Sequence, residues 1–107
     1  MIRNIALLTT LFVAGCSTVD FQATQFRLEQ SSSKESVYEY KAFADAMYPL
    51  KSKDAEQQRM QWLAKWLAQN GLSDNNYEIT DKEVYLKSKG WFGDIYDIYY
   101  TVEVPTN

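Results

Sequence analysis

The sequence predicts an α+β fold: a small antiparallel sheet of three to four strands with one helix packed on it, in the order (β)-β-α-β-β. Three observations predict it. The stretch Ile95 to Val104 alternates strictly, with Tyr96, Ile98, Tyr100, Val102 and Val104 on one face and Asp97, Thr101 and Glu103 on the other, the period of a half-buried strand. Met60, Leu63, Ala64 and Leu67 recur at helical spacing and form one apolar stripe. A second alternating stretch, with Val84 and Leu86 in phase, precedes the last strand across Ser88-Lys89-Gly90-Trp91-Phe92-Gly93, which reads as the turn of a hairpin.

Taken in order, the first element is the least regular. Val19, Phe21 and Ala23 keep one phase and Phe26 and Leu28 the other, so residues 19–29 read as a bulged strand or an irregular arm. Gln30 to Ser36 is polar and serine-rich, a loop by composition. From Val37 the chain alternates again: Tyr38, Tyr40, Ala42, Ala44 and Ala46 share a face opposite Glu39, Lys41 and Asp45, and the tyrosines favour a strand at least to Phe43. Pro49 ends it. Asp54 with Gln57 matches a capping box, and Glu56 adds charge where the helix dipole favours it. Asn70-Gly71-Leu72 closes the helix as a Schellman stop, with Gly71 left-handed and Leu72 folding back on Leu67. Tyr77 and Ile79 open the next strand, whose phase changes at Asp81-Lys82. Matching inner faces then fixes the hairpin register: Leu86 opposes Tyr96 and Val84 opposes Ile98, because a slip of one residue drives Asp97 into the core.

Composition excludes more than it selects. Fourteen acidic residues outweigh eleven basic ones, net charge −3, with no basic stripe for nucleic acid. There is no histidine and a single cysteine, Cys16, so His-based catalytic triads, His-ligated metals, zinc clusters and disulfides are all ruled out. Ser73-Asp74-Asn75-Asn76 lacks the alternating ligands and distal glutamate of a calcium loop. No cofactor or metal is expected. Carboxylates are the remaining route to catalysis, but Asp94 and Asp97 lie three apart on a strand and point to opposite faces, and Asp74 and Asp81 belong to no evident pocket. Stability must come from packing, and the three tryptophans, eight tyrosines and five phenylalanines are suited to supply it, each burying roughly 150–250 Å².

The amino terminus carries an address. Met1 and Arg3 precede an apolar run from Ile5, which closes on Val13-Ala14-Gly15-Cys16. The run is far short of the roughly 20 residues that span a bilayer, and it has the layout of a signal h-region. It resembles a bacterial lipoprotein signal peptide with its lipobox, Val13 standing where that pattern most often has leucine. The resemblance implies that residues 1–15 are removed and that Cys16 is acylated on its thiol and its new amino terminus. Residues 16–20 then form a lipidated tether, reaching to residue 36 if the next segment is not a strand, and 21–107 form one domain. Two or three acyl chains, as bacterial lipoproteins carry, hold a protein lastingly where one chain binds marginally. Ser17 stands where aspartate tends to retain such proteins in the inner membrane. The resemblance therefore favours the outer membrane, with the domain facing the periplasm.

The expectation is a lipid-anchored envelope protein acting as a non-catalytic protein-binding or structural accessory module, its partners the membrane, through Cys16, and another envelope protein. The candidate binding residues are Trp91 and Phe92, two large aromatics between glycines at a hairpin tip, and Tyr85 and Tyr99 on the outer hairpin face. The alternative is a small lipid- or glycan-binding protein whose pocket lies between helix and sheet, lined by Trp62 and Trp66, four apart on the helix flank. A carboxylate-based enzyme is the remote third reading.

Overall fold

The computed structural model describes residues 20–73, 75–91 and 93–106; the expectations that rest on residues 1–19, including the lipobox at Cys16, and on Asp74 and Phe92 lie outside the described residues. Four strands form one antiparallel sheet: β1 (Gln25–Ser31), β2 (Glu35–Ala44), β3 (Glu78–Ser88) and β4 (Ile95–Pro105), in the spatial order β1-β2-β4-β3, with helix α1 (Lys53–Gln69) between β2 and β3 in the chain. Because β4 pairs antiparallel with both β2 and β3, those two run in the same direction with β4 inserted between them. Parallel strands cannot be joined by a tight turn, and α1 supplies the long crossover they need. The fold class is the one expected, with all four strands present.

The hairpin register is also as expected. Leu86 pairs with Tyr96 and Val84 with Ile98, and on the outer face Tyr85 pairs with Asp97 and Glu83 with Tyr99. The inner face of β2 and β4 forms the core: Tyr40, Ala42 and Ala44 beside Ile98, Tyr100, Val102 and Val104, covered by Trp62, Leu63 and Leu67 of α1. Alanines at 42 and 44 leave room for the large helix side chains above them.

The first strand departs from expectation. Residues 20–22 make a helical turn, β1 starts only at Gln25, and Ser31 is still a strand residue. The serine-rich segment is therefore not an open loop but a tight hairpin. Ser32 donates its N–H to the Glu35 carbonyl at 2.8 Å, and its hydroxyl accepts from the N–H groups of Lys34 and Glu35. The phase change between Ala23 and Phe26 is the passage from the helical turn at 20–22 into β1, and a separate register shift between Leu28 and Gln30 leaves Glu29 as the extra residue of a bulge. In β3 the corresponding shift falls between Ile79 and Asp81, so Thr80 is the odd residue and not the Asp81-Lys82 step.

The helix start is a second correction. Ser52, not Asp54, is the N-cap, its hydroxyl accepting the Ala55 N–H at 3.2 Å, and Asp54 sits inside the first turn with Glu56. The stop is as expected: Gly71 is left-handed at φ 71°, the Leu72 N–H reaches the Leu67 carbonyl at 2.8 Å, and the Gly71 N–H reaches Ala68 at 3.1 Å, the two bonds of a Schellman motif.

The face α1 buries is rotated from the expected stripe. Ala55, Arg59, Trp62, Leu63 and Leu67 are the buried positions, while Met60 and Ala64 sit at its margin. Arg59 is 0% exposed. All five of its N–H donors are used: Nε to Glu56 Oε1 at 3.0 Å, Nη1 to the carbonyls of Phe43 and Tyr48 at 3.1 Å each, and Nη2 to those of Pro49 and Leu50 at 3.1 and 3.4 Å. One guanidinium thus satisfies the end of β2 and the loop 45–52. The Arg59 carbonyl in turn accepts the Tyr40 hydroxyl at 2.6 Å.

Glu56 completes the arrangement, accepting from Arg59, from the Tyr100 hydroxyl at 2.9 Å, and pairing with Lys82 at 3.5 Å. Burial pushes its carboxyl pKa up, but the hydrogen bonds from Arg59 and Tyr100 and the charges of Lys82 and Arg59 outweigh burial and hold it below the usual carboxylate range.

Two predictions follow from this network. Arg59→Met strips four carbonyls and Glu56 of their partner at once and lowers stability by about 3–5 kcal/mol, read as a lower urea midpoint at unchanged slope. The depressed Glu56 pKa makes its contribution complete above the unfolded carboxylate pKa and lost as pH falls through the folded one. Glu56→Gln should therefore flatten the fall in melting temperature on the acid side; an acid limb as steep as the wild type's shows that other carboxylates set it.

Candidate functional site

The helix covers one face of the sheet, and unevenly. On the β1 side the entering segment closes over α1: the Phe21 ring lies 4.5 Å from that of Trp66, Phe26 lies 6.1 Å from it, and Trp66 Nε1 donates to Thr24 Oγ1 at 2.7 Å. Trp62 is 3% exposed and packs against Phe43 and Tyr48 at 5.5 and 5.0 Å. Trp62 is thus buried in the core, and Trp66 is partly buried against Phe21 and Phe26. The pocket expected between helix and sheet around Trp62 and Trp66 is corrected accordingly: that space is filled by the side chains proposed to line it. The apolar excess of the helix flank is covered by residues 20–26, a use that helical spacing alone does not reveal.

On the β3 side nothing comparable arrives. Val84 and Leu86 lie on the helix side of the sheet, as the register requires, yet remain 40% and 50% exposed. The expectation that they point into the core is corrected: they face the right way, but α1 crosses over β2 and β4 and stops short of the edge strand. Lys82 fills part of the gap, its Nζ 5.4 Å above the Tyr100 ring and within reach of Glu56.

The helix-free face holds the second pair of candidates together. Tyr85 and Tyr99 meet edge-to-face with ring centroids 5.7 Å apart. They border a shallow depression of about 340 Å³ lined also by Glu39, Asp81, Glu83, Asp97 and Thr101. Four carboxylates therefore ring two phenols. Arg27 pairs with Glu39 at 3.1 Å, and Lys41 stands 5.7 Å over the Tyr99 ring. The hydrogen bond that its hydroxyl donates to Glu83 pushes the Tyr85 phenol pKa up.

The hairpin tip is separate from that face. Trp91 is 99% exposed. The turn that carries it is closed by the Gly93 N–H on the Gly90 carbonyl at 3.3 Å. A side chain at Gly90 would come within 2.7 Å of the Gly93 carbonyl oxygen, and Gly93 has φ 128°, so both glycines are required by the backbone. Ala46, Met47 and Ile95 lie around the same hollow as Trp91.

Sequence reasoning missed Arg59 and, with it, the cluster of Glu56, Tyr100 and Lys82. The cluster has the residue types of an acid–base site, but its chemistry runs the other way. A general acid or base works best with a pKa near the operating pH. Here Glu56 is moved further down, and burial with the neighbouring Glu56 moves Tyr100 further up. The arrangement holds a charge and its hydrogen bonds in place between helix and sheet. Among the described residues no group of three or more His, Cys, Asp or Glu could hold a metal ion, and no helix is long and apolar enough to cross a membrane.

The chain matches no family model, no curated protein and no solved structure. The reading of function rests on the molecule itself.

The different packing of the tryptophans is testable by substitution. Trp91→Ala should change stability by no more than about 0.5 kcal/mol, as exposed positions do, whereas Trp62→Ala should cost about 3–5 kcal/mol. Denaturant titrations that rank the two in the opposite order would place Trp91 in the core.

Proposed function

We propose that the protein is a lipid-anchored, non-catalytic accessory of the cell envelope, held by acyl chains on Cys16 and binding another envelope protein through the helix-free face of its sheet. One observation supports the binding surface above others: the Tyr85–Tyr99 pair, set among Glu39, Asp81, Glu83 and Asp97 on a face that no other part of the described chain covers. Tyrosine gives large contact area with a polar tip, the combination enriched at the centres of protein interfaces. Carboxylates around it favour a partner segment bearing lysine or arginine, which they engage by charge-assisted hydrogen bonds while the phenol faces accept the cation. Lys41 over Tyr99 shows the same contact made internally. The anchor is supported by the lipobox Val13-Ala14-Gly15-Cys16, and Ser17 favours the outer membrane as its place.

The test is crosslinking of the intact protein in its native envelope, comparing wild type with the Tyr85→Ala, Tyr99→Ala double variant. A partner engaged through this face is captured by the wild type and lost from the still-folded variant. With the purified partner, the substitutions should cost about 2 kcal/mol or more, as aromatic anchors do, and affinity should fall with added salt as the carboxylates are screened. Equal capture by both proteins would rule this face out.

A further inference from the structure

We infer that the end of the sheet carrying Trp91 and Met47 rests on the lipid bilayer, with the Trp91 indole in the interfacial layer. This rests on the acylation of Cys16 proposed above, and it assigns that end a different role from the helix-free face.

The first argument is placement. The strand pairings bring the start of β1, the end of β2, the start of β4 and the end of β3 to one end of the sheet. The chain enters at that end too. The Tyr48 hydroxyl donates to Asp20 Oδ2 at 2.6 Å, so Asp20 is fastened to the loop 45–52, whose neighbouring residue Met47 lies beside Trp91 around the hollow. Asp20 follows Cys16 by four residues, a span of at most about 14 Å fully extended. The acylated residue therefore lies within about that distance of Asp20, whose side chain is held by the loop that carries Met47.

The second argument is surface chemistry. At this end, Trp91 and Met47 are the most exposed large apolar side chains described, and they surround a hollow of about 330 Å³ with Ala46 and Ile95. Lys51 and Lys89 are exposed in the same two loops, and Lys87 is exposed next to the last residue of β3, cations suited to lipid phosphates. Asp45 also lines the hollow, its Oδ1 engaged by the N–H groups of Met47 and Tyr48 at 3.0 and 2.9 Å. Tryptophan is the residue most suited to the headgroup layer, with an apolar body and a single N–H donor.

The third argument selects lipid over protein. A folded domain of about 100 residues has a radius of gyration near 13 Å, and the tether leaves about 14 Å at most between Asp20 and the acylated residue. Headgroups fit in that gap. A folded partner does not.

The test uses the mature protein purified from a Gram-negative host and reconstituted in phosphatidylethanolamine and phosphatidylglycerol vesicles, with Trp91→Phe as the subtraction. The mass of the Cys16 peptide is read independently. If Cys16 carries no acyl chains, the anchoring proposal fails, and the inference falls with it. If it is acylated, the Trp91 component of the emission should shift to the blue, resist acrylamide, and be quenched by lipids brominated near the headgroup. Shielding from acrylamide without lipid quenching would mean self-association and overturn the inference. Full acrylamide access in the acylated protein would overturn it equally, leaving the anchor intact.

Discussion

The guanidinium of Arg59 is the constraint on which the rest of the structure depends. It is a charge at zero exposure, in the middle of a helix face that otherwise packs on aromatics and aliphatics. Burying a cation is expensive unless its donors are all met, and here the chain converges on it. The last carbonyl groups of β2 and the loop 45–52 turn inward to accept from it. That loop would otherwise be an irregular run with unsatisfied backbone. Once fixed, it presents Tyr48 to both Trp62 and Asp20, and so positions the segment that enters the sheet. The hydrogen bond from Tyr48 to Asp20, together with burial, pushes that phenol pKa up to about 12. Its contribution is complete below the unfolded tyrosine pKa and disappears only as the pH rises through the folded one.

One helix on four strands cannot cover them all, and the shortfall falls on the two edge strands, β1 and β3. β3 is exposed along nearly its whole length. An edge of that kind invites pairing with other chains unless something blunts it. β3 carries Asp81, Lys82, Glu83 and Lys87, and it is broken by irregularities on either side of its regular stretch. Charge and irregular pairing are the two devices that discourage strand addition, so the backbone edge is defended while the face beside it is left open. This is the physical reason for placing recognition on the Tyr85–Tyr99 face and not along the edge.

The hairpin was legible because alternation over β4 admits only one register that keeps Asp97 out of the core, and the structure pairs Leu86 with Tyr96 accordingly. The Schellman stop was legible for a similar reason, since glycine in Asn70-Gly71-Leu72 has a local backbone meaning. Arg59 was not legible. A search for apolar periodicity discards an arginine on the buried stripe, and that omission rotates the apparent face toward Met60 and Ala64. The N-cap was misplaced because Ser52 and Asp54 both qualify by residue type, and only the hydroxyl bond to Ala55 separates them. The exposure of Val84 and Leu86 depends on how far α1 reaches across the sheet, a tertiary quantity with no local signature. Of the candidate residues, Trp91 and Tyr85 are exposed and Tyr99 is half-buried beneath Tyr85 and Lys41, while Trp62 and Trp66 were claimed by partners distant in sequence.

The two surfaces constrain each other. If the Trp91 end meets the bilayer, the strands run away from the membrane, and β3 and β4, at roughly 3.4 Å per residue, rise some 35 Å above it. The acidic, helix-free face then stands upright and is not pressed against lipid. That matters for a chain of net charge −3. Anionic headgroups repel carboxylates within a Debye length of about 8 Å. Glu83 and Asp81 lie five and seven residues along β3 from Ser88 at the membrane end, roughly 17 and 23 Å by strand rise and outside that range, and only Asp97, two residues from Ile95, comes near it. An orientation with the sheet flat on the bilayer would bring Glu39, Asp81, Glu83 and Asp97 down together against the headgroups. On the proposed anchoring, the apolar tip, the lysines near it and the tether would act against that orientation and leave the tyrosine face open to approach from the side.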